Sequence, residues 1–119
     1  MATAGDRDQE RGVHNPKVVD LISFDPDVRA VVLSMIENRP WGASPDQIRQ
    51  IEDKFNSYLA YVGAGYLERD YPQYAGVPVV FHLDCVEEPG QYESCFLDSV
   101  TEFASEEKIG FVVRVREAG

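Results

Sequence analysis

Apolar and polar positions along this chain follow two rhythms, one of period two and one of period three to four. Lys17 to Phe24 and Val28 to Ile36 are dense in β-branched and apolar residues and read as strands. Asp25-Pro26-Asp27 separates them. Asp suits the first position of a type I turn and Pro pre-sets φ at the second, so an antiparallel hairpin is expected. Ser44-Pro45-Asp46-Gln47 then reads as a helix start: Ser44 as N-cap, Pro45 at the first helical position, Gln47 completing a capping box. Ile48, Ile51, Phe55, Tyr58, Leu59 and Val62 follow at spacings of three and four, which places one apolar stripe on one face. This helix is expected to reach about Arg69, weakened by Gly63 and Gly65 and ended by Pro72. Val77 to Cys85 reads as a third strand. A second helix runs from about Tyr92 to Glu106 with Phe96, Val100 and Phe103 on one face, and Phe111 to Arg116 is the last strand.

The order ββαβαβ predicts an α+β fold: a two-layer sandwich in which two helices pack on one face of a four-stranded mixed sheet. A right-handed crossover makes the third and fourth strands parallel. Alternation assigns Val19, Leu21, Val31, Leu33, Met35, Val79, Phe81, Leu83, Cys85, Phe111, Val113 and Val115 to the core face. The opposite face then carries Val18, Ile22, Val32, Ile36, Val80 and Val112, an apolar set that would suit self-association into a homodimer. Residues 1–16 are polar, lack periodicity and read as a disordered tail, leaving 17–119 as a single domain.

Length and composition fit one globular domain: 119 residues, 44% hydrophobic and 27% charged. The net charge of -10 changes the picture more. It opposes binding to nucleic acid or an anionic membrane and favours a basic protein partner. The charge is also unevenly placed. From Asp84 to Glu107 stand eight carboxylates and no Lys or Arg, whereas the tail contributes only -1. Asp98, Glu102 and Glu106 are four apart, so they align on one face of the second helix, where like charges repel. Glu106 and Glu107 also stand at its C-terminus, against the helix dipole. No apolar run is long enough to span a bilayer and the first residues do not resemble a signal peptide, so a cytoplasmic location is expected. There Cys85 and Cys95 would be thiols rather than a disulfide.

Candidate chemistry is sparse. His82 and Asp84 share a strand face beside Arg114 and Arg116, and a His oriented by a carboxylate can act as a general base. No nucleophile stands beside them, so a small enzyme is the lesser alternative. Two histidines and no ligand spacing give no expectation of a metal, and no cofactor motif occurs. Arg39 and Trp41, in the loop Glu37-Asn38-Arg39-Pro40-Trp41-Gly42, are residue types favoured in interfaces. The favoured expectation for this loop, however, is that Trp41 folds back over the core as a lid, with Arg39 paired to a nearby carboxylate.

Val18-Val19-Asp20-Leu21-Ile22, Asp25-Pro26, Glu37-Asn38-Arg39-Pro40-Trp41 and Leu83-Asp84-Cys85 together resemble a small bacterial domain family of unknown function, over about residues 17–116. That resemblance implies a stand-alone domain and no activity. The expected function is a non-enzymatic acidic binding or regulatory module, of the kind toxin immunity proteins exemplify. It would dock a basic partner through Asp98, Glu102, Glu106, Glu87, Glu88, Arg39 and Trp41.

Overall fold

The computed structural model describes residues 11–116. Its elements are β1 (Leu21–Asp25), β2 (Ala30–Glu37), α1 (Gln47–Gly63), α2 (Tyr66–Asp70), a 3-10 turn (Pro72–Tyr74), β3 (Val79–Cys85), α3 (Gln91–Glu106) and β4 (Gly110–Val115). The sheet runs β1-β2-β3-β4, antiparallel between β1 and β2 and parallel thereafter. The fold is therefore α+β with a mixed four-stranded sheet, as the strand and helix periodicities predict. Both long helices lie on one face. Ile51, Phe55 and Tyr58 of α1 and Leu97, Val100 and Ala104 of α3 form one cluster with Val31, Leu33, Met35, Phe81, Leu83 and Phe111 of the sheet. Edge-to-face rings knit its centre: Phe55 and Tyr58 stand 5.7 and 5.5 Å from Phe81, and Phe55 stands 5.7 Å from Phe111.

The hairpin differs from expectation in phase. Ile22 pairs with Leu33 and Phe24 with Val31, so Ile22 and Phe24 face the helices. Leu21, assigned above to the core, pairs with Ser34 on the open face and is 47% exposed. The cause lies at both ends of β1. The Asp20 carboxylate accepts the Ile36 N–H at 2.9 Å, and the Val13 N–H donates to the Ile36 carbonyl at 2.9 Å. These contacts replace the strand pairing that Lys17 to Asp20 would have made. At the other end the Asp25 side chain accepts the Asp27 N–H, and Arg29 takes a left-handed φ of 54°. The turn so closed delays β2 from Val28 to Ala30.

Residues 11–16, assigned above to a disordered tail, pack against the domain, with Gly12 and Val13 buried. Residues 1–10 lie outside the described residues. The expected capping box is absent as well. Gln47 turns away from Ser44: its side chain accepts the Gly42 N–H at 2.8 Å and donates to the Pro40 carbonyl at 3.2 Å. It pins the preceding loop rather than the helix end. Gly65, at φ 85°, breaks the long helix expected to reach Arg69 into α1 and α2.

Of the apolar row expected on the open face, Val32 is buried, Val18, Ile36 and Val80 are half-buried, Ile22 lies on the helix side and Val112 is exposed. Ala30, Val32 and Ser34 are buried, small side chains flanked by β1 and β3. Leu21 and Val112 are the exposed aliphatics there, and they sit on opposite edge strands.

Candidate functional site

The residues of α3 divide into three rows. Leu97, Val100 and Ala104 are buried against the sheet. Of the expected inward row Phe96, Val100 and Phe103, only Val100 is buried; the face is rotated toward Leu97 and Ala104. Phe96 is left half-buried, and Phe103 is 47% exposed, its ring edge-on to Phe55 at 6.1 Å. Tyr92, one turn before Phe96, is 73% exposed. Asp98, Glu102 and Glu106 form the third row, exposed to solvent. Among the described residues none of these three makes an ion pair or hydrogen bond to another side chain.

The loop between β3 and α3 brings further carboxylates to the start of this helix. Glu88 shares a shallow groove with Asp98, floored by Leu97, Val113 and Val115 at the outer edge of β4. Glu87 faces the loop after β2: its carboxylate accepts the Trp41 N–H at 2.9 Å and its backbone carbonyl accepts the indole N–H at 3.0 Å. Trp41 is half-buried over the core edge. Arg39 grips Glu37 through two parallel hydrogen bonds of 2.9 and 2.8 Å and also reaches Gln50 at 2.9 Å. Burial of Glu37 opposes its ionisation. Hydrogen bonds from the Arg39 guanidinium and backbone, and from Gln47, outweigh that and hold its pKa below the ordinary value. Arg39 and Trp41 are thus engaged within the chain. They fix the two loops together and set where Glu87 stands.

On the open face, Arg114 stands between the members of the expected catalytic pair. Its guanidinium lies 3.0 Å from His82 Nδ1 and 3.6 Å from Asp84 Oδ1. Burial, and then the Arg114 charge, hold the His82 pKa below its usual value against the opposing pull of Asp84 and Asp25. A neutral His82 accepting from Arg114 is not the carboxylate-oriented histidine that general-base chemistry needs. Among the described residues no group of three His, Cys, Asp or Glu side chains is placed to hold a metal ion, and no helix is long and apolar enough to cross a membrane.

A second polar cluster escapes the sequence reading. Lys54 and Asp20 are both fully buried and paired at 2.8 Å. The Lys54 ammonium also donates to the carbonyls of Gly12, Asn15 and Val18 at 3.0, 2.6 and 2.6 Å. Tyr58 adjoins it, its hydroxyl donating to the Ser34 carbonyl at 2.6 Å and accepting the Asp20 N–H at 2.9 Å. Burial pushes the Tyr58 phenol well above its usual range, so it remains protonated. Burial likewise lowers the Lys54 pKa, opposed by Asp20. With every partner internal, this cluster anchors the segment before β1. The signal was present: Asp20 interrupts the run Val18-Val19-Asp20-Leu21-Ile22, and Lys54 falls in the apolar stripe between Ile51 and Tyr58.

A family model described as "Family of unknown function (DUF6572)" matches residues 11–117. No curated protein and no solved structure matches the chain.

Proposed function

The chain belongs to the DUF6572 family, which brings no activity with it, and we propose from the surface of α3 that it is a non-enzymatic acidic module docking a basic surface of a partner protein. The observation that carries this reading is the row Asp98, Glu102 and Glu106, exposed and without internal counter-charge. Each neighbouring pair in such a row destabilises its helix by roughly 0.2–0.5 kcal/mol. Docked against Lys or Arg side chains, the same row steers association and fixes register. Glu88 continues the acidic surface toward the β4 edge, and Glu87 is held in place by Trp41.

Capture from a cell lysate tests the reading. The tagged full chain is compared with the triple variant Asp98→Lys, Glu102→Lys, Glu106→Lys at roughly 0.1 M and 1 M salt. A specific protein retained by the unaltered chain at low salt, and lost both at high salt and with the triple variant, is the expected result. Identical capture by both chains, or capture indifferent to salt, overturns it.

A further inference from the structure

We infer that the cleft between α1 and α3 receives a large apolar side chain from a basic amphipathic helix of the partner. This rests on the acidic-docking reading and gives it an anchor point. The cleft holds about 260 Å³, room for one leucine or phenylalanine side chain, and is walled by Phe55, Phe96, Val100 and Phe103 with Ser99 and Glu52 at its rim.

Three observations converge on this occupant. The first is that α3 carries a second apolar stripe that the core covers only in part. Leu97, Val100 and Ala104 are buried, whereas Phe96 and Phe103 line the cleft toward α1, and the exposed Tyr92 stands four residues before Phe96 on the same side of the helix. Exposed aromatic rings beside a concave apolar site are what interface centres are made of.

The second is charge. Glu102 and Glu106 stand three residues beyond Ser99 and Phe103, which puts them on the helix surface alongside the cleft. Glu52 stands on the opposite bank. Arg49, one turn before Asp53 on α1, pairs with Asp46 at 3.3 Å rather than with these acids. An apolar groove with carboxylates on both banks complements a segment whose apolar side chains are flanked by Lys or Arg on either side.

The third is shape. From Phe96 to Phe103 the cleft-lining stretch runs about 10 Å along the helix axis. The cleft itself lies between two helices, with Glu52, Phe55 and Asn56 on the α1 side and Phe96, Ser99, Val100 and Phe103 on the α3 side. A rod with one apolar face fits a trough by the helix-in-groove mode.

The probes are two synthetic peptides of about 18 residues with the same leucine and lysine content. One has its leucines at helical spacing and the other is scrambled so that no face forms. Their binding to the full chain is read by fluorescence anisotropy at low salt. The amphipathic peptide is expected to bind at least about tenfold tighter than the scramble. Phe103→Ser, which removes a wall, and Ser99→Trp, which plugs the cleft from an exposed position, are each expected to erase that preference. Glu102→Lys should weaken both peptides. Circular dichroism confirms that each variant is folded. Equal affinity for the two peptides, or a preference that survives both cleft variants, overturns the anchor while leaving the acidic reading standing. Failure of the chain to bind either peptide overturns both.

Discussion

Lys54 brings a full charge into the interior of a small domain, and its surroundings show why the fold tolerates it. Four oxygen acceptors converge on one ammonium, among them the Asp20 carboxylate, which itself takes the N–H groups of Gly12 and Ile36. Removing one member of such a buried pair leaves the other uncompensated, at about 3–5 kcal/mol. Lys54→Met is therefore expected to lower the unfolding free energy by that amount in urea titration, and to expose residues 11–20 to limited proteolysis. Ser57→Ala, which loses one exposed hydrogen bond to the Pro16 carbonyl, should cost no more than about 1 kcal/mol. Glu37 gives a pH-dependent counterpart. Its folded pKa lies below its ordinary 4.5, so its contribution is complete above that pH and is lost as pH falls through the folded value. The stability difference between the unaltered chain and Glu37→Gln should thus shrink as urea titrations are repeated from pH 7 down to about pH 3. Both clusters were half-legible. Sequence shows a lone charge inside an apolar run, but pairing Asp20 with Lys54 needs the chain to be folded, because they are 34 positions apart.

At the scale of elements, periodicity located all four strands and both long helices, and it failed where a side chain took over a backbone role. Asp20 satisfies the Ile36 N–H in place of a neighbouring strand, so β1 starts late and its alternation inverts. Gln47 serves the Pro40–Gly42 loop instead of Ser44. The Gln47 exchange leaves no trace in hydrophobic pattern, and the Asp20 exchange shows there only as a charge within an apolar run, without its partner. The aromatic flank of α3 was missed for a related reason: both candidate inward stripes are apolar, and only packing distinguishes Leu97 and Ala104 from Phe96 and Phe103. The glycines that close α1 offer a clean contrast. A Cβ added at Gly63 or Gly65 would meet no other atom within 4 Å, so their substitutions differ only through the backbone. Gly63 ends α1 in helical conformation, and Gly63→Ala should stabilise by up to about 1 kcal/mol. Gly65 is left-handed at φ 85°, and Gly65→Ala should destabilise by about 1–2 kcal/mol. Opposite shifts in melting temperature are the expected readout; a gain at both positions would mean that α1 and α2 can merge.

Across the whole molecule, the charge that composition reports as -10 becomes a directional property once the fold places it. The carboxylates of α3 stand on the outward side of the helix layer, and the one cation of β4, Arg114 with its contacts to His82 and Asp84, stands on the far face of the sheet. Their separation prevents mutual neutralisation, so the α3 row keeps its charge while Arg114 is countered by Asp84 on its own face. This arrangement sets stability against binding at one residue. Glu102 lies four positions after Asp98 and four before Glu106. Glu102→Lys converts two repulsive pairs into two attractive ones, which should raise stability by about 1 kcal/mol and the melting temperature by several degrees. The same substitution should weaken binding of a basic segment. A row kept only because exposed charges are cheap would improve in stability with no loss of binding. A drop in melting temperature would show instead that Glu102 is already satisfied in the folded chain. Measuring both quantities on this single variant separates an acidic surface used for recognition from one that merely keeps the domain in solution.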